Sequence, residues 1–423
     1  MKRSISFSFS LIVILFLSTF SLKAQYLWNS DTAFKAGTAN SGRIWGYMFG
    51  DFYAKGHSDS LSRGGSNQYT GIPTSRNAFQ FRRIYLGYDY NITSKFSAEL
   101  LLAAEDNFPA GQPVGQATAN GDQTQNNKLT FYIKLANIRW KNIWKGTDLV
   151  VGQVATPAFP LLSERIWAYR SIERTISDIR RTPSYDLGAA LQGKFDAKGN
   201  YGYNLMVGNG SSAKPESDNF KWFYGDVFAM FMDKKLIFDV YADYERLTWT
   251  PALHHSRQML KGYIAYNTPA LTIGAEGFIN SMKNDITATK IAGGTDLLNN
   301  AAKGLSLYIH GNIVPNKLRF FARYDMFNPN SKVDNSKYSK YVQTTGNYND
   351  NTYSPTLVAG ALTATGDETY KQNFITAGLD FTPAKNVHFM PNIWYNHYNT
   401  QLATKNGDYD MVYRMTFYFV FGK

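Results

Sequence analysis

Residues 409–423, YDMVYRMTFYFVFGK, alternate strictly: Met411, Tyr413, Met415, Phe417, Phe419 and Phe421 fall on one side of an extended chain, with Val412, Arg414, Thr416, Tyr418 and Gly422 on the other. Successive side chains of a strand point to opposite faces, so this period of two predicts a strand with one wholly apolar or aromatic face. An apolar face backed by one carrying Arg414 and Thr416 suits a strand set between lipid and water.

The same pattern recurs upstream. Leu236, Phe238, Val240, Ala242 and Tyr244 oppose Asp239, Tyr241, Asp243 and Glu245; Leu318, Phe320, Ala322, Tyr324 and Met326 oppose Arg319, Phe321, Arg323 and Asp325. A soluble sandwich does not repeat charge after charge on the hidden face of long strands, whereas in a transmembrane barrel that face looks into water. Such runs lie near residues 43–54, 78–91, 94–105, 129–140, 148–155, 184–196, 200–210, 223–232, 235–247, 256–268, 270–281, 302–313, 316–328, 370–382, 385–399 and 409–423. The expected fold is an all-β transmembrane antiparallel barrel of about sixteen strands, wide enough for a lumen. Its connections alternate. Asp196–Asn200 and Asp233–Lys234 are short, Lys141–Thr147 is slightly longer, and Pro329–Thr369 is a long polar loop. Short turns at one rim and long loops at the other put both termini on the periplasmic side.

The N-terminus agrees with export. Lys2 and Arg3, a mostly apolar run Phe7–Leu22 and Ala24 before Gln25 read as a secretory signal peptide over residues 1–24. The run is too short to span hydrocarbon as a helix. Removing Lys2, Arg3 and Lys23 takes the formal charge from +12 to +9, because residues 1–24 contain no acid. Residues 25–42 then form a short periplasmic segment and 43–423 the outer-membrane barrel. An exported chain has no routine nucleic-acid partner, and the absence of Cys excludes thiolate metal sites, disulfides and a lipoprotein anchor. With 29 Tyr, 29 Phe and 8 Trp in 423 residues, yet a mean hydropathy of −0.34, the composition suits aromatic girdles around a polar interior.

The connection between strands five and six stands apart. Over 156–181 it reads TPAFPLLSERIWAYRSIERTISDIRR, and a helix beginning at Ser163 would align Ile166, Tyr169, Ile172, Ile176 and Ile179 as a packing stripe. Arg165, Arg170, Arg174, Arg180 and Arg181 outnumber Glu164, Glu173 and Asp178. Folded into the lumen, this segment would make a constriction whose arginines bind anions through planar, multi-donor hydrogen bonds. The alternative is that Arg and Glu at helical spacing pair with one another on a solvated surface.

The stretch VGQVATPAFPLLSERIWAYRSIERTISD, Val151 to Asp178, and FRRIYLGYDYNITSKFSAELLLAAED from Phe81 resemble the phosphate-selective porin O and P family, in the style of a Bacteroidetes member. The resemblance implies a sixteen-stranded channel, often a homotrimer, with an inward-folded loop and a preference for anions such as phosphate. On the walls, the inward basic candidates Arg83, Lys134, Lys194, Lys261, Arg319, Arg323 and Arg414 face Asp89, Glu99, Glu105, Asp186, Asp239, Asp243, Glu245, Glu276, Asp325 and Asp380. That wall is mixed and slightly acidic, so any selectivity is expected in the strand-five-to-six insert.

No catalytic or metal site is expected. Gly208, Asn209, Gly210 and Ala213 match a dinucleotide fingerprint in letters only, since Pro215 follows and no helix opens there. His254 and His255 are adjacent and point apart, and His310 and His388 read as solvated or hydrogen-bonded imidazoles. The reading is a porin in the outer membrane, without cofactor, passing small hydrophilic solutes or inorganic anions and contacting outer-membrane lipid. The competing readings are a surface barrel serving as adhesin or scaffold through residues 329–369, and a barrel enzyme with a loop-borne site.

Overall fold

The computed structural model describes residues 39–60, 63, 68–105, 130–180, 183–216, 218–249, 253–343, 370–399 and 407–422. The expected signal peptide, residues 25–38, Arg181 and residues 344–369 lie outside the described residues.

Strands β1 (Ser41–His57), β2 (Asn77–Asn91), β3 (Phe96–Glu105), β4 (Tyr132–Trp144), β5 (Thr147–Ala155), β6 (Tyr185–Lys194), β7 (Tyr201–Gly208), β8 (Trp222–Phe231) and β9 (Leu236–Trp249) form the first part of the wall. They are followed by β10 (His254–Asn267), β11 (Leu271–Lys290), β12 (Thr295–Val314), β13 (Leu318–Asn328), β14 (Tyr338–Gln343), β15 (Lys371–Ala384), β16 (Val387–Asn399) and β17 (Asp408–Phe421). Apart from β14, every strand pairs antiparallel with its neighbour in sequence. β17 returns to β1 with Gly46 opposite Phe421 and Lys55 opposite Val412, closing a sixteen-stranded ring. Closure leaves no edge of unpaired backbone groups, as a lipid environment demands.

The alternation sets the two faces. Phe238, Val240, Tyr413 and Met415 face outward and are exposed, while Tyr241, Val412 and Thr416 are buried inside. The inner face is not open to water along its length, contrary to the sequence reading: Asp239 is 1 % exposed, Arg323 3 % and Thr416 0 %. Wall aromatics and the β5–β6 connection interdigitate there, Trp45, Tyr47, Tyr85, Tyr263, Tyr308 and Phe321 clustering with Ile166, Trp167, Tyr169 and Ile172.

Three local departures matter. First, the β1–β2 register runs from Phe49 opposite Arg83 to Gly50 opposite Phe81, which leaves Arg82 as an unpaired bulge residue. Both Arg82 and Arg83 are therefore buried on the inside. Lys134 occupies the equivalent bulge of β4. Second, the expected connection Lys141–Thr147 shrinks to a two-residue turn, in which Gly146 takes φ +81°, a conformation glycine adopts without a Cβ clash. Third, β11 and β12 run on to Lys290 and from Thr295, well past the expected 281 and 302. Polar Lys283–Asp285 and a register shift between Met282 and Ile286 interrupt the alternation there. Beyond it, β14 pairs with β11 above the rim, packing Tyr341 on Ile286 and Ala288.

Candidate constriction

The β5–β6 connection leaves the wall at Thr156, whose amide donates to Ser184 O (3.2 Å) and whose hydroxyl donates to Pro183 O (2.7 Å), pinching its two ends together. The continuous helix expected from Ser163 does not form. Instead α1 (Ser163–Trp167) ends where Ala168 takes φ +61°, its amide donating to Glu164 O, and helix resumes only at α2 (Ile176–Arg180). The intervening backbone makes a turn, the amides of Ile172 and Glu173 donating to Tyr169 O (2.8 and 3.0 Å), and other carbonyls of the connection are offered to the wall, a tertiary demand that overrides the local helical spacing.

Those carbonyls are held one by one. Lys261 of β10 donates to Ala158 O, and His310 Nε2 of β12 donates to Ile166 O (3.0 Å). Arg82 of β2 donates to Ser171 O (2.8 Å), Arg414 of β17 to Ile172 O (3.1 Å) and Arg323 of β13 to Arg174 O (2.5 Å). Side chains add to the clasp. Tyr169 donates to Asp380 of β15 (3.2 Å) and accepts from Arg319 of β13 (3.3 Å). Trp394 of β16 donates to Glu173 (2.8 Å), and the Ser177 hydroxyl donates to Glu276 of β11 (2.6 Å). Trp167 packs on Tyr308 and Tyr169 on Phe321, with ring centroids 5.0 and 4.7 Å apart. Charge-assisted bonds to buried carbonyls are the stronger kind, and removing one partner strands the other.

The four described arginines of the insert have distinct surroundings. Arg170 is buried between Glu164 and Asp178. Arg174 lies 3.7 Å from the same Asp178. Arg180 donates to Gln372 and stacks 4.2 Å over the Phe327 ring. Arg165 is half-buried, its Nε donating to Pro160 O (3.0 Å). Burial by itself raises a carboxyl pKa, but Arg82 and Arg174 together with the Trp394 hydrogen bond outweigh it, so Glu173 sits below the usual carboxylate range.

The wall candidates divide likewise. Lys261, Arg319, Arg323 and Arg414 are engaged with the connection, as above. Arg83 and Lys134 share Glu105, beneath the Tyr85 hydroxyl. Lys194 is exposed at the short-turn rim. Arg82, Trp394 and Glu173 were not among the expected functional residues. The doublet Arg82–Arg83 inside an otherwise alternating strand was the available signal for the bulge.

On the side of β1–β6 the connection does not fill the barrel. A cleft of about 80 Å3 remains there, lined by Lys134, Arg139, Arg165 and Arg170, by Glu99 and Glu164, and by Trp45 and Tyr85. Among the described residues no cluster of three metal-ligating side chains occurs. His255 bonds Asp285 (2.8 Å), and His254 stacks on Trp249.

No protein-family model matches the chain, and no curated protein matches it in sequence. Solved structures do. An outer-membrane channel, DcaP of Acinetobacter baumannii, superposes with a TM-score of 0.57 at 10 % identity, covering 90 % of this chain and 98 % of that one. OmpF of Salmonella typhi in complex with daunomycin gives 0.53 at 10 % identity, with coverage of 90 % and 98 %. An anion-selective porin from Comamonas acidovorans gives 0.53 at 12 % identity, with coverage of 90 % and 100 %. The likeness to the phosphate-selective porin O and P family stays a resemblance of two stretches, and what stands beyond it is that the chain has the sixteen-stranded fold of outer-membrane porins.

Proposed function

We propose that the protein is an outer-membrane porin through which small hydrophilic solutes, inorganic anions among them, diffuse passively. The observation that carries this reading is the asymmetric filling of the barrel. The β5–β6 connection is tied to eight strands (β2, β10–β13 and β15–β17), yet a cleft stays on the β1–β6 side. A segment clasped inside a barrel narrows the lumen without sealing it, and the charges beside the remaining gap act at short range and low dielectric. Lys134, Arg139, Arg165 and Arg170 outnumber Glu99 and Glu164 among the charges lining that cleft, so a modest anion preference belongs to it. Cleavage after Ala24, periplasmic short turns and assembly as a homotrimer complete the reading.

Purified protein in planar bilayers gives stepwise conductance on this reading, and liposome swelling against solutes of graded size sets its cut-off. A bilayer that stays closed sinks it. The platform of β11, β12 and β14 above the rim would then favour the adhesin or scaffold reading.

A further inference from the structure

Seven short turns close one rim of the barrel, and six of them carry an exposed lysine: Lys95, Lys145, Lys198, Lys234, Lys317 and Lys385, with Lys235 beside Lys234. Only Thr268–Ala270, between β10 and β11, lacks one. The same turns hold two acids. Asp233 is exposed, and the half-exposed Asp196 carboxylate accepts the amides of Asn200 (2.6 Å) and Tyr201 (3.2 Å) of its own turn. None of the seven lysines has an ion-pair partner among the described residues. At the opposite rim the lysines are mixed: Lys290 pairs with Asp296 (2.7 Å), Lys221 with Glu216 (3.3 Å) and Lys337 with Asp334 (3.6 Å), while Lys214, Lys283, Lys332, Lys340 and Lys371 are exposed without an ion pair among the described residues.

Directly next to the lysine-bearing turns, Trp144, Tyr201, Phe231 and Phe381 are exposed on the outward face. Exposed aromatics mark the depth of the membrane interface, and a lysine just beyond them lays its aliphatic stem along apolar surface while its ammonium reaches the headgroup layer.

We propose that the short-turn rim is a lipid-binding collar whose unpaired turn lysines take the phosphates of anionic phospholipids in the leaflet it faces. This rests on the reading of the chain as an outer-membrane barrel with that rim in the periplasm. The charge is predominantly positive, seven lysines against Asp196 and Asp233, and a lysine is missing only at Thr268–Ala270. It sits in register with the aromatic belt, as headgroup phosphates require. Near an anionic surface each lysine is worth on the order of fivefold in local lipid enrichment.

The test uses the full barrel in mixed phosphatidylcholine and phosphatidylglycerol, reading the motionally restricted fraction of spin-labelled versions of each lipid. The wild type should select phosphatidylglycerol by about 25-fold where two lysines contact each bound lipid, at about fivefold per lysine. Replacing all seven turn lysines by Gln should abolish the selection, while Lys221→Gln, Lys290→Gln and Lys337→Gln together should leave it intact. Equal selection in the wild type and the seven-fold variant overturns the collar. Unchanged lipid selection with a shifted reversal potential also overturns it, assigning the lysines to steering ions toward the mouth. Loss of stepwise conductance in every protein would strike the channel reading alone, because lipid selection is read independently of conductance.

Discussion

The two halves of the barrel interior use the same residue types for different work. On the side of β10–β17 and β2, Lys261, Arg82, Arg323 and Arg414 donate to backbone carbonyls of the β5–β6 connection. On the side of β3–β6, Lys134 and Arg139 border a cleft together with Arg165. A cation's position on the inner face therefore does not tell its role. What decides it is whether the connection's backbone lies within reach, since a buried carbonyl must be satisfied by something.

The sharpest way to break this contrast is to release the clasp. Arg82→Ala, Arg323→Ala and Arg414→Ala together remove three charge-assisted bonds, each worth roughly 1.5–3 kcal/mol. The connection should detach and single-channel conductance should rise several-fold with added noise. An unchanged conductance would mean that packing of Trp167 and Tyr169 alone holds the segment. Arg170→Ala should act similarly through a different cause, because it leaves Glu164 and Asp178 as buried carboxylates without their shared cation, at a cost of about 3–5 kcal/mol.

The cleft side predicts a change of selectivity without a change of fold. Arg165→Ala with Arg139→Ala should move the reversal potential toward cations at nearly constant conductance, whereas Lys261→Ala with Arg319→Ala should alter noise more than selectivity. Equal shifts from both pairs would erase the distinction between clasp and aperture.

Much of this architecture is legible in residues 409–423 and their repeats, because a lipid-facing strand enforces period two over its full length. All sixteen barrel strands fall within a few residues of their expected places, apart from the ends of β11 and β12 that leave the membrane. Above the rim no lipid disciplines the outward face, so the alternation around Lys283–Asp285 lapses while pairing continues. The insert was legible in composition and not in conformation. Its arginines stand out, but which of them meet Glu164 and Asp178 depends on Ala168 breaking the helix, and that follows from wall contacts distant in sequence. Arg82 was hidden because a bulge cannot be seen from alternation that resumes on both sides of it.

Acidification sharpens the clasp side by a smaller amount. The Glu173 pKa is depressed in the folded state, so its contribution is present above the ordinary glutamate range, near 4.3, and is lost as pH falls through its own lower value. Conductance noise should therefore rise in the wild type as pH drops below about 4. Glu173→Gln should already be noisy at neutral pH and respond less to acid. If the two proteins titrate alike, groups other than Glu173 govern the loosening.

The smallest effect belongs to the residue that shapes the insert. Ala168 holds φ +61°, in the left-handed region where a Cβ costs roughly 1–2 kcal/mol, and its amide caps α1 by donating to Glu164 O at 3.0 Å. Glycine there removes that strain but gains chain entropy in the unfolded state, which returns about 0.5–1 kcal/mol of the benefit. Ala168→Gly should thus slow amide exchange at residues 168 and 169 slightly, by no more than a few-fold, with selectivity unaltered. Ala168→Val should do the opposite and more strongly, since a β-branched side chain tolerates positive φ least. Faster exchange in the glycine variant would show that the entropy gained by the unfolded chain outweighs the strain relieved, and that the wall contacts hold Ala168 at positive φ with little local cost.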